Sequence, residues 1–102
     1  MGAIVPGRMT LHGTEISFRL GPGTLDEARA VAARLRDAAR GCRRHVLFVD
    51  EDAGEYGCLA EWADPSAAAA FAERPAVREE IASLERRLGK APRVRLYAME
   101  ES

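Results

Sequence analysis

The chain has 102 residues and a formal net charge of −1 at neutral pH, which suits one domain with a single hydrophobic core. Because the charges nearly cancel, neither nucleic acid nor an anionic membrane surface is expected as a partner. The sequence has no apolar run long enough to span a bilayer and no signal-peptide core, which predicts a cytoplasmic protein. The two cysteines, Cys42 and Cys58, fit neither zinc-ligand spacing nor a disulfide framework, so free thiols are expected.

The first elements are an irregular leader and a strand. Residues 1–13 show no sustained apolar period and are interpreted as an N-terminal extension, with a short strand at Met9 to His12 as one option. The domain is assigned to residues 14–100. From Thr14 to Leu20 apolar and polar residues alternate, which predicts a half-buried strand.

A helix is predicted after the turn Gly21-Pro22-Gly23. Thr24 is the expected N-cap, and Glu27 three residues later predicts a capping box with it. Apolar residues then recur at helical spacing from Leu25 to Ala39, which predicts an amphipathic helix with one buried stripe.

Two strands joined by a hairpin are predicted next. Arg44 to Asp50 contains four consecutive apolar residues, which is typical of a covered strand. Tyr56 to Trp62 alternates again, after a polar loop. The pattern leaves the hairpin register open and, with it, the direction of His45. One of two alternating sets on the first of these strands points away from the helices: Val46 and Phe48, or Leu47 and Val49.

The last part of the sequence predicts a helix broken by proline and a final strand. Asp64 is a good N-cap, and Pro65 suits the first helical position, where no backbone donor is needed. Pro75 breaks or kinks the helix, and helical spacing resumes from Val77 to Leu88. Arg93 to Met99 alternates as a strand should.

The resulting order, βαββαβ, predicts an α+β fold of the ferredoxin-like type. In this arrangement two helices cover one face of an antiparallel four-stranded sheet, and right-handed crossovers leave few alternatives. Leu59, Tyr97 and Met99 are expected on the other face. A mixed apolar patch of this kind permits two sheets to pack together as a dimer.

Several fold-bearing positions follow one another at characteristic points of the chain: Gly21-Pro22-Gly23, Gly41-Cys42, Trp62, Asp64, Phe71, Pro75, Pro92 and Tyr97. In this pattern the chain resembles the antibiotic biosynthesis monooxygenase family of the dimeric α+β barrel superfamily. The likeness extends from about Thr14 to Glu100.

The resemblance implies a homodimer whose sheets pack face to face, with a small apolar pocket between helices and sheet in each protomer. It implies an oxygenase that needs no metal or flavin, because a deprotonated phenol or quinol passes an electron to oxygen itself. The function predicted is therefore a cofactor-independent monooxygenase acting on a small aromatic or quinol-like substrate. The alternative is a non-catalytic ligand-binding or scaffold domain of the same fold.

Two departures from the family pattern bear on the reaction. Similar haem-degrading proteins use an asparagine on the first strand and a histidine on the second helix, and these positions fall near Ile16 and Ala72. Haem degradation is therefore not predicted. Many quinol-oxidising relatives carry a histidine directly after the helix-breaking proline, where this chain has Ala76.

The candidate site residues are one imidazole and a set of inward-facing side chains. His45 is the candidate catalytic base. The alternative is that His45 has no catalytic role and simply contacts solvent or a partner at the end of the sheet. Five residues are predicted to line the ligand pocket, and each also suits a role in the core: Trp62, Tyr56, Phe18, Phe71 and Cys58. Arg93 and Arg95 either bind a carboxylate or pair with acids across a dimer.

Overall fold

The computed structural model describes residues 10–101 as a four-stranded antiparallel sheet with helices packed on one face. The elements follow in the order β1 (Thr10–Arg19), α1 (Leu25–Ala38), β2 (Arg44–Asp50), β3 (Glu55–Trp62), α2 (Pro65–Ala72), α3 (Pro75–Leu88) and β4 (Arg93–Glu100). Across the sheet the strand order is β2-β3-β1-β4. This is the ferredoxin-like α+β fold that the sequence predicts, and the prediction is confirmed.

The first strand is longer than its alternation indicates. It begins at Thr10, and its first residues pair with the end of β4, where Thr10 lies opposite Glu100. Residues 10–13 therefore belong to β1 and not to a separate short strand. The remainder of the predicted extension, residues 1–9, lies outside the residues that the structure describes.

Proline divides the second helical segment into two helices. Asp64 caps α2 by accepting a hydrogen bond from the backbone N–H of Ala67 at 2.8 Å, and Pro65 occupies the first turn. Pro75 then begins α3, because a proline has no N–H to continue α2. Both helix starts agree with the sequence prediction.

The capping box predicted at the start of α1 is wrong. The Thr24 hydroxyl makes no cap and instead donates to the Gly21 carbonyl at 2.6 Å. Positive φ angles at Gly21 and Gly23 fold the turn back so that this carbonyl is within reach. Glu27 forms an ion pair with Arg87 of α3 instead of capping its own helix.

The two central strands set the inner face of the sheet. Their register aligns Phe18 with Tyr56 and His12 with Trp62. The even-numbered residues of both strands therefore point towards the helices, and nearly all of them are buried: Thr14, Ile16, Phe18, Tyr56, Cys58, Ala60 and Trp62. The buried Thr14 hydroxyl donates to the Ala68 carbonyl at 2.6 Å and so ties α2 to β1.

The β2–β3 register decides which way the hairpin residues point. Phe48 lies opposite Gly57, and Val46 lies opposite Leu59, so both point to the outer face, which is the sheet face away from the helices. His45 lies opposite Ala60 and therefore points to the helix side.

One backbone contact closes the loop beside this hairpin. The Gly54 carbonyl accepts a hydrogen bond from the Leu20 N–H at 2.8 Å. Gly54 has φ +67°, and an ideal Cβ built on it would lie 1.7 Å from the Gly21 carbonyl oxygen. Glycine is required here for space as well as for conformation.

We predict that Gly54→Ala destabilises the protein far more than Gly89→Ala. Gly89 has a similar φ of +71° with nothing within 4 Å of its ideal Cβ, so its substitution costs only the conformational strain of about 1–2 kcal/mol. Gly54→Ala adds a backbone clash and should cost roughly 3 kcal/mol or more. Urea denaturation of both variants measures the difference, and equal losses would contradict the contact.

Candidate functional site

An open cleft of about 720 Å³ lies at one end of the sheet. Its lining comes from residues 17–19 of β1, Glu55 and Tyr56 of β3, Leu88 at the end of α3, the loop 90–92, and Arg93 at the start of β4. These segments are far apart in sequence. The volume falls within the range of ~300–1,000 Å³ of pockets that hold small organic ligands.

The cleft exists because two paired strands are unequal in length: β4 starts opposite Ser17, two residues short of the end of β1. The β1–β4 ladder stops at Ser17 opposite Arg93, whereas β1 continues to Arg19 in its pairing with β3. The last residues of β1 therefore lack a neighbour on their β4 side, and the cleft occupies that position. Pro92 is buried and Gly89 ends α3 in the left-handed conformation, so the loop turns sharply beside the opening.

Two largely buried aromatic side chains, Phe18 at 6% and Tyr56 at 3% exposure, lie at the inner wall of the cleft. The rings of Phe18 and Tyr56 lie 5.8 Å apart at an interplanar angle of 39°. The oxygens of the Tyr56 and Thr24 hydroxyls are 2.9 Å apart. Because the Thr24 hydroxyl proton goes to Gly21, the Tyr56 hydroxyl is the donor in this bond. Tyr56 is therefore held in a fixed orientation at the cleft wall.

Trp62 lies at the opposite end of the same strand, six residues and so roughly 20 Å from Tyr56. Its side chain is 2% exposed and packs against the Phe71 ring at 5.2 Å. The Arg74 guanidinium lies over the indole at 5.2 Å. Within residues 10–101, the indole Nε1 is buried without a hydrogen-bond acceptor.

Arg74 also joins this end of the sheet to the end of α1. It donates to the Ala38 carbonyl at 2.8 Å and to the Arg40 carbonyl at 3.1 Å. Ala38 is the last residue of α1 and Arg40 follows the helix. The carbonyls at a helix C-terminus lack partners within the helix. Arg74 therefore covers the Trp62 indole and also supplies hydrogen-bond donors to the carbonyls at the C-terminus of α1.

His45 is half-buried on the helix side of β2 and does not line the cleft. Burial lowers the pKa of His45, and the positive charge of Arg36 on α1 lowers it further. The imidazole is consequently neutral at neutral pH. It is available as a proton acceptor only to a molecule that reaches the edge of the sheet at β2.

Cys58 lies in the core between the two ends of β3. It is 1% exposed, and burial together with the nearby negative charge of Glu80 raises its pKa to about 12. The Cys58 thiol is therefore protonated and unreactive as a nucleophile. Cys42 is partly exposed, and both cysteines are free.

The structure divides the predicted pocket residues between two places. Phe18 and Tyr56 line the cleft, whereas Trp62 and Phe71 contact each other at the far end. Leu88, Lys90 and Pro92 also line the cleft, and sequence reasoning did not select them. Their signal in the sequence was weak, since a helix end followed by a proline-containing loop is found in many proteins.

The described part of the chain has neither a cluster of metal-binding side chains nor a helix that could span a membrane. No group of three or more His, Cys, Asp or Glu side chains there has the arrangement needed to hold a metal ion. None of the helices in residues 10–101 has both the length and the apolar composition required to cross a bilayer.

Solved structures share this architecture. A conserved protein from Methanosarcina mazei Go1 superposes with a TM-score of 0.67 and 17% identity, covering 87% of this chain and 92% of its own. Rv0793 from Mycobacterium tuberculosis gives 0.67 and 19% identity, with 90% and 97% covered. SnoaB, a cofactor-independent oxygenase from Streptomyces nogalater, gives 0.63 and 18%, with 91% and 93% covered. At these identities the likeness establishes the fold, and no curated protein matches the sequence significantly.

The class defined by fold and cleft is thus a small α+β domain with a ligand-sized opening at the end of its sheet. The family model for antibiotic biosynthesis monooxygenases matches residues 15–82, about two thirds of the chain. The chain belongs to the antibiotic biosynthesis monooxygenase family, and the resemblance expected from the sequence is confirmed.

We predict that thiol reagents distinguish the two cysteines. In the folded protein at pH 8, 5,5′-dithiobis(2-nitrobenzoate) should react with one thiol, because Cys42 is partly exposed and Cys58 is buried with a raised pKa. The second should react only after denaturation. Cys42→Ser should abolish the rapid reaction, and a rapid reaction persisting in that variant would show that the core opens readily at Cys58.

Proposed function

We propose that this protein is a cofactor-independent monooxygenase that binds a small aromatic or quinol-like substrate in the cleft beside Phe18 and Tyr56. The cleft is the observation that carries the proposal, because it has ligand-sized volume and an aromatic wall in a chain of this family. The similar fold of SnoaB, described as a cofactor-independent oxygenase, supports the same reaction class.

The chemistry requires little from the protein beyond binding and positioning. A hydroquinone-type substrate loses a proton, and the resulting anion transfers one electron to O₂. The two radicals combine to a peroxide, which loses water and leaves one oxygen atom in the product as a carbonyl group. The Phe18 and Tyr56 side chains, largely buried, form the apolar inner wall against which the substrate ring lies. The proton of the Tyr56 hydroxyl is donated to Thr24, so the Tyr56 oxygen offers an acceptor to a substrate hydroxyl.

The substrate proton is assigned to solvent at the mouth of the cleft. His45, the base expected from the sequence, lies outside the lining, so a substrate in the cleft does not contact it. The rim residues Arg19, Glu55 and Lys90 are exposed, so water reaches the bound ring. The substrate's own acidity then sets the fraction of reactive anion.

A second candidate function is binding without turnover, in which the domain holds an aromatic ligand but does not oxidise it. The openness of the cleft favours this alternative, because a site from which water is poorly excluded gives less protection to a reactive intermediate. Measuring binding and oxygen consumption on the same sample separates the two functions.

The protein is further proposed to form a homodimer through the outer face. Phe48 is 49% exposed there, and the side chains of Leu59 and Met99 meet above Gly13, where any Cβ would lie within about 3 Å of them. On the same face the Tyr97 hydroxyl donates to Glu15 at 2.9 Å. An apolar patch that also contains satisfied polar groups suits burial against a second sheet.

We predict that filling the cleft abolishes oxygen consumption. Ala91 is an exposed lining residue, so Ala91→Trp should fold normally while its indole occupies the cleft. With a panel of naphthohydroquinones, the enzyme-dependent oxygen uptake measured by electrode should fall at least about tenfold. The control is Ala69→Trp, on an exposed position of α2 away from the cleft.

The pH dependence of the same assay tests the proton pathway. With solvent as acceptor, kcat/KM should rise about tenfold per pH unit below the pKa of the phenol, roughly 10, and His45→Gln should leave it unchanged. With His45 as base, kcat/KM would already be level at neutral pH, because burial and Arg36 lower the pKa of His45, and His45→Gln would remove activity. No uptake with any quinol, despite ligand binding, would establish the non-catalytic alternative.

We predict that a charge at Phe48 dissociates the dimer and that a charge at its neighbour does not. Light scattering at micromolar concentration should give twice the chain mass of 11.1 kDa. Phe48→Asp should give a monomer, because burying an unpaired carboxylate between two sheets is costly. Val49 is equally exposed at 48% but points to the helix side, so Val49→Asp should remain dimeric. A monomeric wild-type protein would contradict the proposal.

A further inference from the structure

The charges around the cleft are strongly unequal. In the described part of the chain its lining includes three cations, Arg19, Lys90 and Arg93, and one carboxylate, that of Glu55. This contrasts with the chain as a whole, whose net charge is −1. The excess of positive charge is therefore a local property of the cleft.

Among residues 10–101, only one of the three cations has a partner of opposite charge. Arg19 lies 3.9 Å from the Glu55 carboxylate and also donates to the Ala53 carbonyl at 3.4 Å. Within residues 10–101, neither Lys90 nor Arg93 forms an ion pair. Elsewhere on the surface many arginines do pair, as Arg34 does with Glu80 at 2.7 Å and Arg44 with Glu61 at 3.1 Å.

The position of these two cations follows from the way α3 connects to β4. Gly89 ends the helix, Lys90 comes next in the loop, and the buried Pro92 fixes the chain directly before Arg93. Arg93 is the first residue of β4 and lies opposite Ser17, at the strand end where the cleft opens. The loop thus brings two cations, neither of them in an ion pair with a described residue, to the mouth of a cleft whose inner wall is aromatic.

An aromatic wall with a cationic mouth fits a ligand with a flat ring and an acidic substituent. The ring packs on Phe18 and Tyr56, and a carboxylate matches the planar donors of an arginine as well as the ammonium of a lysine. At an exposed rim each such pairing contributes modestly, up to about fivefold in affinity, and salt weakens it. Two pairings together suffice to discriminate between an acid and its neutral analogue.

We propose that the cleft selects aromatic carboxylates over neutral aromatics, with Lys90 and Arg93 as the residues that determine this specificity. This inference rests on the proposed function in taking the cleft as the ligand site. It adds the chemical class of the ligand, and it does not depend on whether the ligand is oxidised.

The test compares 1-hydroxy-2-naphthoate with its uncharged amide, 1-hydroxy-2-naphthamide, by calorimetry on the full chain at low salt. The wild type should bind the carboxylate about tenfold or more tightly than the amide. The variant Lys90→Gln/Arg93→Gln should bind the two within about twofold of each other. Raising the salt to about 0.5 M should reduce the wild-type preference in the same way.

The matched control is Arg43→Gln/Arg86→Gln, which removes two exposed arginines outside the cleft lining and gives the same net charge. It should keep the wild-type preference. Thermal unfolding of both double variants checks that they fold. The indole N–H resonance of Trp62, the chain's single tryptophan, should not shift on binding, because that end of the sheet is distant from the cleft.

Three results would overturn the inference: equal affinities in the wild type, a preference that survives Lys90→Gln/Arg93→Gln, or a shift of the indole resonance that places the ligand beside Trp62. Failure of both naphthols to bind would also overturn it, even if quinols supported oxygen uptake. Carboxylate-selective binding without oxygen uptake would uphold it and reject the proposed oxygenase reaction.

Discussion

The structure depends on the register between the two central strands, β1 and β3. Phe18 lies opposite Tyr56, and His12 lies opposite Trp62. In this register the inward-facing residues of β1 are paired directly with the inward-facing residues of β3. A shift by one residue would move the buried set into water and the charged set under the helices. The Gly54–Gly21 contact and the hydrogen bond from Thr14 to Ala68 both connect other elements to this pair.

The same face of the sheet has very different properties at its two ends. At the Trp62 end, Phe71 and the guanidinium of Arg74 cover the indole, and Arg74 also donates to two carbonyls at the end of α1. At the Tyr56 end, the last residues of β1 extend beyond the start of β4, and the cleft lies in the space beside them. One end therefore contributes stability, and the other has room for a ligand. In a domain this small, a single helix layer serves both purposes.

The secondary structure and the inward faces could be predicted because they rest on local signals. Asp64 with Pro65 indicates a helix start, Pro75 indicates an interruption, and alternation around Ile16 and Cys58 indicates half-buried strands. The capping box at Thr24 was a local signal too, and it failed because a tertiary contact competed: the hydroxyl bonds to Gly21 and receives a hydrogen bond from Tyr56. The candidate site was predictable only for Phe18 and Tyr56, since both lie on the predicted inner face.

The sequence by itself determined the element order, the family and the residues of β1 and β3 that face the helices, because periodicity and turn residues act over a few positions. Only the tertiary structure decided the β2–β3 register, and with it the outward direction of Phe48 and the inward direction of His45. It also decided the place of the cleft. The cleft is formed by β1, β3 and the loop before β4. Its position depends on how far each strand extends beside its neighbour, and no single segment of the sequence determines that.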